Sequence, residues 1–130
     1  MKKVKDSITN YFQESSEVIS SLSSELDVVE EMANAIHESN KEGGKVLIAG
    51  NGGSCADAEH FAGELLCTFK LRDRSPIGAV HLANNSSAIT AWTNDFDFDS
   101  IFSRQLETLA NEKDVLIAYT TSGNSRNVLH

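Results

Sequence analysis

Positive charge is scarce in this chain: 11 lysines and arginines stand against 19 aspartates and glutamates in 130 residues, a formal net charge of −8. Such a balance excludes nonspecific attraction to nucleic acid or to an anionic membrane, and no partner of either kind is expected. Long apolar runs are also missing, and nothing approaches the roughly 20 residues that a membrane helix needs. The opening Met1-Lys2-Lys3-Val4-Lys5 is basic, yet Asp6-Ser7-Ile8-Thr9-Asn10 stands where a secretory signal requires apolar residues. Only two cysteines occur, Cys55 and Cys67. They have neither metal-ligand spacing nor the density of a disulfide scaffold, and read as free thiols of a cytoplasmic protein. The single proline, Pro76, lies in the polar connection Arg72-Asp73-Arg74-Ser75-Pro76.

What remains is ordinary globular material, 40% hydrophobic and 23% charged, enough for one domain with a real core. Residues 1–42 read as a helical segment and 43–130 as an α/β core. In the leading segment Ile8, Tyr11, Phe12, Val18, Ile19 and Leu22 recur at helical spacing, as do Leu26, Val29, Met32, Ala33 and Ile36. The serines at 20, 21, 23 and 24 mark a break, one of them capping the second helix. Gly43-Gly44 ends that helix. The apolar stripe packs into the core or faces a partner subunit.

The chain is organised around Lys45-Val46-Leu47-Ile48-Ala49-Gly50-Asn51-Gly52-Gly53-Ser54. A short apolar run without alternation suits a strand covered on both faces, as in a parallel sheet. Glycines after it allow a tight turn and close approach to a ligand, and the start of the following helix favours an anion. The pattern is neither a Walker A loop nor the dinucleotide G-x-G-x-x-G. Taken alone it is equally a plain strand-to-helix connection. The helix behind it adds His60 and Glu64, four residues apart and so on one face. An imidazole and a carboxylate so placed form an acid–base pair, share a metal such as zinc, or make an ordinary surface pair.

Further on, Ile77-Gly78-Ala79-Val80-His81-Leu82 reads as a second strand, and Asn84-Asn85-Ser86-Ser87 as a helix start. Thr93-Asn94-Asp95-Phe96-Asp97-Phe98-Asp99 alternates aromatics with acids and reads as a loop. It is either a capped turn whose phenylalanines plug the core, or a place where Asn94 and Asp95 offer hydrogen bonds to a polyol. Ile101 to Leu109 is amphipathic helix. Asp114-Val115-Leu116-Ile117-Ala118-Tyr119 repeats the buried-strand signature, followed by Thr120-Thr121-Ser122-Gly123-Asn124-Ser125 and another helix. Hydroxyls beside a helix start form a neutral donor set for phosphate, although Ser/Thr clusters also serve simply as turn formers. Two such loops at the carboxyl ends of parallel strands point to a ligand edge.

Gly50-Asn51-Gly52-Gly53-Ser54 with His60 and Glu64, then Asn94-Asp95-Phe96, then Thr121-Ser122-Gly123-Asn124-Ser125, resemble the phosphoheptose (sedoheptulose 7-phosphate) isomerases of the sugar isomerase (SIS) domain superfamily. The resemblance covers essentially the whole chain, with three motifs in order. It implies an α/β fold, a Rossmann-like three-layer parallel sheet flanked by helices and preceded by two N-terminal helices, assembled as a homotetramer. It also implies conversion of sedoheptulose 7-phosphate to D-glycero-D-manno-heptose 7-phosphate, towards heptose in lipopolysaccharide or other surface glycans. By position, Asn51, Gly52, Gly53, Ser54, Asn94 and Asp95 would contact the sugar. Thr120, Thr121, Ser122 and Ser125 would hold its phosphate. Glu64 would be the base, with His60 beside it, and the two would be zinc ligands.

The match has departures. Thr120 stands where the family usually has Ser, and Thr68 where several members have Arg. The family's remaining strands and final helix, with a Gln and a His that complete the zinc site and supply the acid, have no counterpart here, so a SIS domain truncated at its C-terminal end is expected. A second reading is a non-catalytic SIS module that binds a phosphosugar or a protein, as the replication-initiator-associating protein of bacteria does. Retention of both His60 and Glu64 favours the enzyme.

Overall fold

A computed structural model describes residues 2–130. Helix α1 (Lys2–Ser21), a single 3-10 turn (Leu22–Glu25) and helix α2 (Leu26–Lys41) come first. Strand β1 (Val46–Gly50), helix α3 (Gly53–Leu66), strand β2 (Ala79–His81), helices α4 (Ser86–Asp95) and α5 (Ile101–Leu109), strand β3 (Val115–Tyr119) and the one-turn α6 (Arg126–Leu129) follow. The chain divides into two units, one ending at Ala35 and the other spanning Ile36–His130.

In the first unit the serine-rich break is real, but no serine caps a helix through its side chain. Instead the Ser21, Ser23 and Ser24 hydroxyls each donate to a carbonyl three residues back, at 2.7–2.9 Å. Bonds of this kind compete with the helical ladder and tighten it locally, which accounts for the 3-10 turn. The apolar stripe does not form a core within this unit. Ile8, Tyr11, Phe12, Val18, Ile19, Leu22, Val29 and Met32 are all at least half exposed.

The second unit is built on β1. All three strands are parallel, in the order β2-β1-β3, with Val46 opposite both Ala79 and Val115. Because β1 is paired on both sides and covered on both faces, every one of its five residues is buried. Val46 and Ile48 turn to one face, against Ala58, Ala62 and Leu65 of α3. Leu47 and Ala49 turn to the other, against Leu82, Ile101 and Phe102. This period-2 division explains why the run carries no polar residue. Burial of each of Val46, Leu47, Ile48 and Leu82 is worth about 1.5–3 kcal/mol. Helices on both faces complete the three-layer arrangement expected from the sequence.

Three local expectations need correction. Strand β2 is only Ala79–His81, because Ile77 donates its N–H to the Leu65 carbonyl at the end of α3 and not to the sheet. Asn94 and Asp95 lie in the last turn of α4 rather than in a loop, since Asn85 caps the helix early through a bond from Ala88 N–H and Phe96 closes it on Trp92. The phenylalanines do not plug the core either: Phe96 is 67% exposed and stacks on Trp92 at 4.2 Å, and Phe98 is exposed as well. The capped turn itself exists. Asp97 accepts from both the N–H and the hydroxyl of Ser100, at 2.7 Å each, and these bonds hold its carboxyl below the ordinary value.

Candidate active site

Two strand-to-helix turns lie side by side at the carboxyl edge of the sheet, after the adjacent strands β1 and β3. In the first, Gly50 cannot carry a side chain, because a Cβ there would stand 2.5 Å from the Ser54 carbonyl oxygen. Gly52, at φ +56°, occupies a conformation that favours glycine. The chain thereby doubles back so tightly that Cys55 N–H reaches the carbonyls of both Asn51 and Gly52. No side chain caps α3, so its leading N–H groups stay open towards an anion.

In the second turn the hydroxyls of Thr120, Ser122 and Ser125 converge. Thr120 Oγ1 lies 3.3 Å from Ser125 Oγ and 3.5 Å from Ser122 Oγ. Gly123, at φ +65°, folds its N–H back onto Thr120 Oγ1, and Asn124 N–H donates to Ser122 Oγ. The two contacts among these three hydroxyls engage two of their protons, and rotation about the C–O bonds can release them to an oxyanion. Thr121 makes none of these bonds.

His60 and Glu64 meet on α3, with Nε2 of the imidazole 3.1 Å from Oε1 of the carboxylate. The imidazole is exposed, whereas the Glu64 side chain is only 29% exposed. Its Oε2 is buried and has no hydrogen-bond partner. A buried carboxylate oxygen without a donor suits a proton, a metal or a substrate hydroxyl. At the end of the same helix, Arg74 donates to the carbonyls of Glu64 and Leu65 at 2.7 and 3.0 Å and fixes that turn.

These groups are not all together. At the helical rise, Glu64 lies about 15 Å along α3 from Ser54, so the acid–base pair and the glycine turn are distinct parts. Asn94 and Asp95 bond to each other, Nδ2 to Oδ1 at 2.8 Å, at the far end of α4. For zinc, His60 and Glu64 offer a nitrogen and an oxygen donor of the right kinds. No group of three or more His, Cys, Asp or Glu side chains able to hold a metal is present among the described residues.

Two features escaped the sequence reading. Asn127 of α6, buried, exchanges two hydrogen bonds with Asn51. His81, also buried, places Nε2 3.5 Å from Cys55 Sγ and leaves Nδ1 without a partner. Neither has a local signal, since each partner is far away in sequence.

A parallel sheet whose central strand is covered on both faces carries a glycine turn and a hydroxyl turn side by side on its carboxyl edge, the edge along which open α/β sheets hold ligands. The SIS domain model matches residues 10–130, and the chain belongs to that family. It is 46% identical over 125 residues to the phosphoheptose isomerase of Burkholderia pseudomallei, covering 94% of this chain and 63% of the relative. It is 54% identical over 89 residues to phosphoheptose isomerase 1 of Campylobacter jejuni, covering 68% and 47%. The solved phosphoheptose isomerase GmhA from Neisseria gonorrhoeae superimposes with a TM-score of 0.87 at 35% identity, over 97% of this chain and 66% of that one. The chain thus spans between 47% and 66% of the length of these relatives. No helix among the described residues is long and apolar enough to cross a membrane.

Proposed function

We propose that this chain acts in the isomerisation of sedoheptulose 7-phosphate to D-glycero-D-manno-heptose 7-phosphate, a cytoplasmic step towards the heptose of lipopolysaccharide or other surface glycans. The observation that carries this reading is Glu64, a carboxylate with one oxygen held by His60 and the other buried and unpartnered. The names of its relatives support the same activity. Phosphate would rest on the hydroxyls of Thr120, Thr121, Ser122 and Ser125, with Asn51, Gly52, Gly53 and Ser54 beside it. Asn94 and Asp95 would take sugar hydroxyls. In this substrate the phosphate and the reacting carbons are at opposite ends, which suits a site whose anion cradle and acid–base pair are apart.

The chemistry assigned to Glu64 is a proton shuttle. Its carboxylate removes a proton from C1 of the ketose as O2 gains one, giving an enediol. It then returns the proton to C2 while O1 loses its own, giving the aldose. His60 orients the carboxylate through the bond to Oε1. A zinc ion held by these two residues, together with donors they do not supply, would polarise the sugar oxygens as a Lewis acid. Assembly into a homotetramer is part of the proposal, supported by the exposed apolar residues of α1 and α2.

The test is proton NMR of sedoheptulose 7-phosphate in D2O with added zinc. Deuterium should enter C1 with the native chain, and Glu64→Gln should slow this by at least about 100-fold while sugar-phosphate binding persists. An unchanged rate would remove Glu64 as the base. A folded native chain that binds the sugar without any exchange would instead mark a binding module.

A further inference from the structure

We propose that Asn127 is a positioning residue that locks the two ligand turns together through Asn51; the inference rests on the sugar-phosphate reading of those turns. Asn51 Nδ2 donates to Asn127 Oδ1 at 2.8 Å, and Asn127 Nδ2 donates back to Asn51 Oδ1 at 2.9 Å. The partners are 76 positions apart, one following β1 and the other following the hydroxyl turn. Asn127 is 3% exposed, so water does not compete for its amide. Turning one amide over would set oxygen on oxygen and nitrogen on nitrogen, while turning both would restore the pair. The pairing therefore fixes the two side chains relative to each other.

An amide in such a pair is only half used. Asn51 retains one N–H and one oxygen lone pair, and the clamp decides where they point. Asn51 is thus able to touch a ligand while its orientation is set from the other turn. The same two bonds set the spacing between the leading N–H groups of α3 and the hydroxyls of Thr120, Ser122 and Ser125. An anion bridging both turns needs that spacing before it binds, because ordering the turns afterwards weakens affinity.

The experiment uses the whole chain with Asn127→Ala and Asn127→Asp, reading sedoheptulose 7-phosphate binding by calorimetry and amide exchange by NMR. Asn127→Ala should weaken binding about tenfold or more, the effect of leaving the half-buried Asn51 amide without its partner. It should also speed exchange at Cys55 and Ala56 as well as at Gly123 and Asn124, while the β1 amides stay protected and report a folded core. Asn127→Asp separates positioning from bulk packing. As a carboxylate it accepts from Asn51 Nδ2 but sets its second oxygen against Asn51 Oδ1. Once protonated it donates there, and both bonds return. Burial raises the pKa of such a group. Its affinity relative to the native chain should therefore be low above that pKa and recover as pH falls through it, whereas Asn127→Ala shows no recovery. Faster exchange confined to Gly123 and Asn124, or an Asn127→Asp variant as weak at low pH as at high, would overturn the clamp. If the native chain binds no sugar phosphate, the isomerase reading fails, and exchange across the two turns alone decides the clamp.

Discussion

At the scale of single residues, His81 ties the stability of the fold to pH although it is buried. Burial pushes its pKa below the ordinary imidazole value, partly opposed by the negative charge of Glu59. The folded chain therefore binds this proton less readily than the unfolded chain does. Stability is full above the unfolded value of about 6.5 and declines as pH falls from there through the folded value. Replacing it with an apolar residue removes both this dependence and the unpartnered Nδ1. His81→Leu should stabilise the chain by about 1 kcal/mol near neutral pH and by more in mild acid. Urea unfolding at about pH 7 and pH 5.5 reads this directly, and parallel pH slopes for the two proteins would refute it.

At the scale of elements, β1 and β3 are joined by more than their ladder. Asp114, just before β3, has a side chain only 3% exposed and accepts from Lys45 Nζ at 2.6 Å, from Lys45 N–H at 2.9 Å and from Asn111 N–H at 2.9 Å. Burial on its own would raise its pKa. The bonds from Lys45 and Asn111, with the charge of Lys45, outweigh that and hold the carboxyl below its ordinary value. A depressed carboxyl stabilises the fold above the unfolded value and loses that contribution as pH falls through the folded one. Asp114→Ala leaves Lys45 without its partner and should cost about 3 kcal/mol, read as a lower unfolding midpoint; a midpoint within experimental error of the native one would contradict it. Both strands were legible as five-residue apolar runs, but only β1 is buried throughout; in β3 the expectation of a fully buried strand fails, since Leu116 and Ala118 stand exposed on one face. The two strand-to-helix turns were legible because glycines and hydroxyls cluster locally. Asn94-Asp95 misled because acids beside aromatics resemble a loop, although Asn85 had already set a helix through them. The Asn51–Asn127 and Cys55–His81 pairs were illegible, since each joins residues that only the parallel crossovers bring together.

At the scale of the whole molecule, the exposed apolar residues of α1 and α2 lead to the proposed assembly. Burying each large side chain against another copy would contribute about 2 kcal/mol. A Phe12→Asp, Ile19→Asp double variant should therefore sediment as smaller species than the native chain, and an unchanged distribution would dissociate these helices from assembly. The sheet has a different consequence, in time rather than in strength. Strand β1 is the centre of the core, yet the carboxylate that anchors it to β3 lies 69 positions further on. On a ribosome, β1 leaves the tunnel on the order of several seconds before its second neighbour exists. In that interval its most apolar backbone has one open edge, while α1, a helix held by bonds between near neighbours in sequence, is free to form at once. The order of synthesis thus makes the helical segment before the sheet and the hydroxyl turn only after β3, and the vulnerable species on the way is a chain whose central strand still lacks a side.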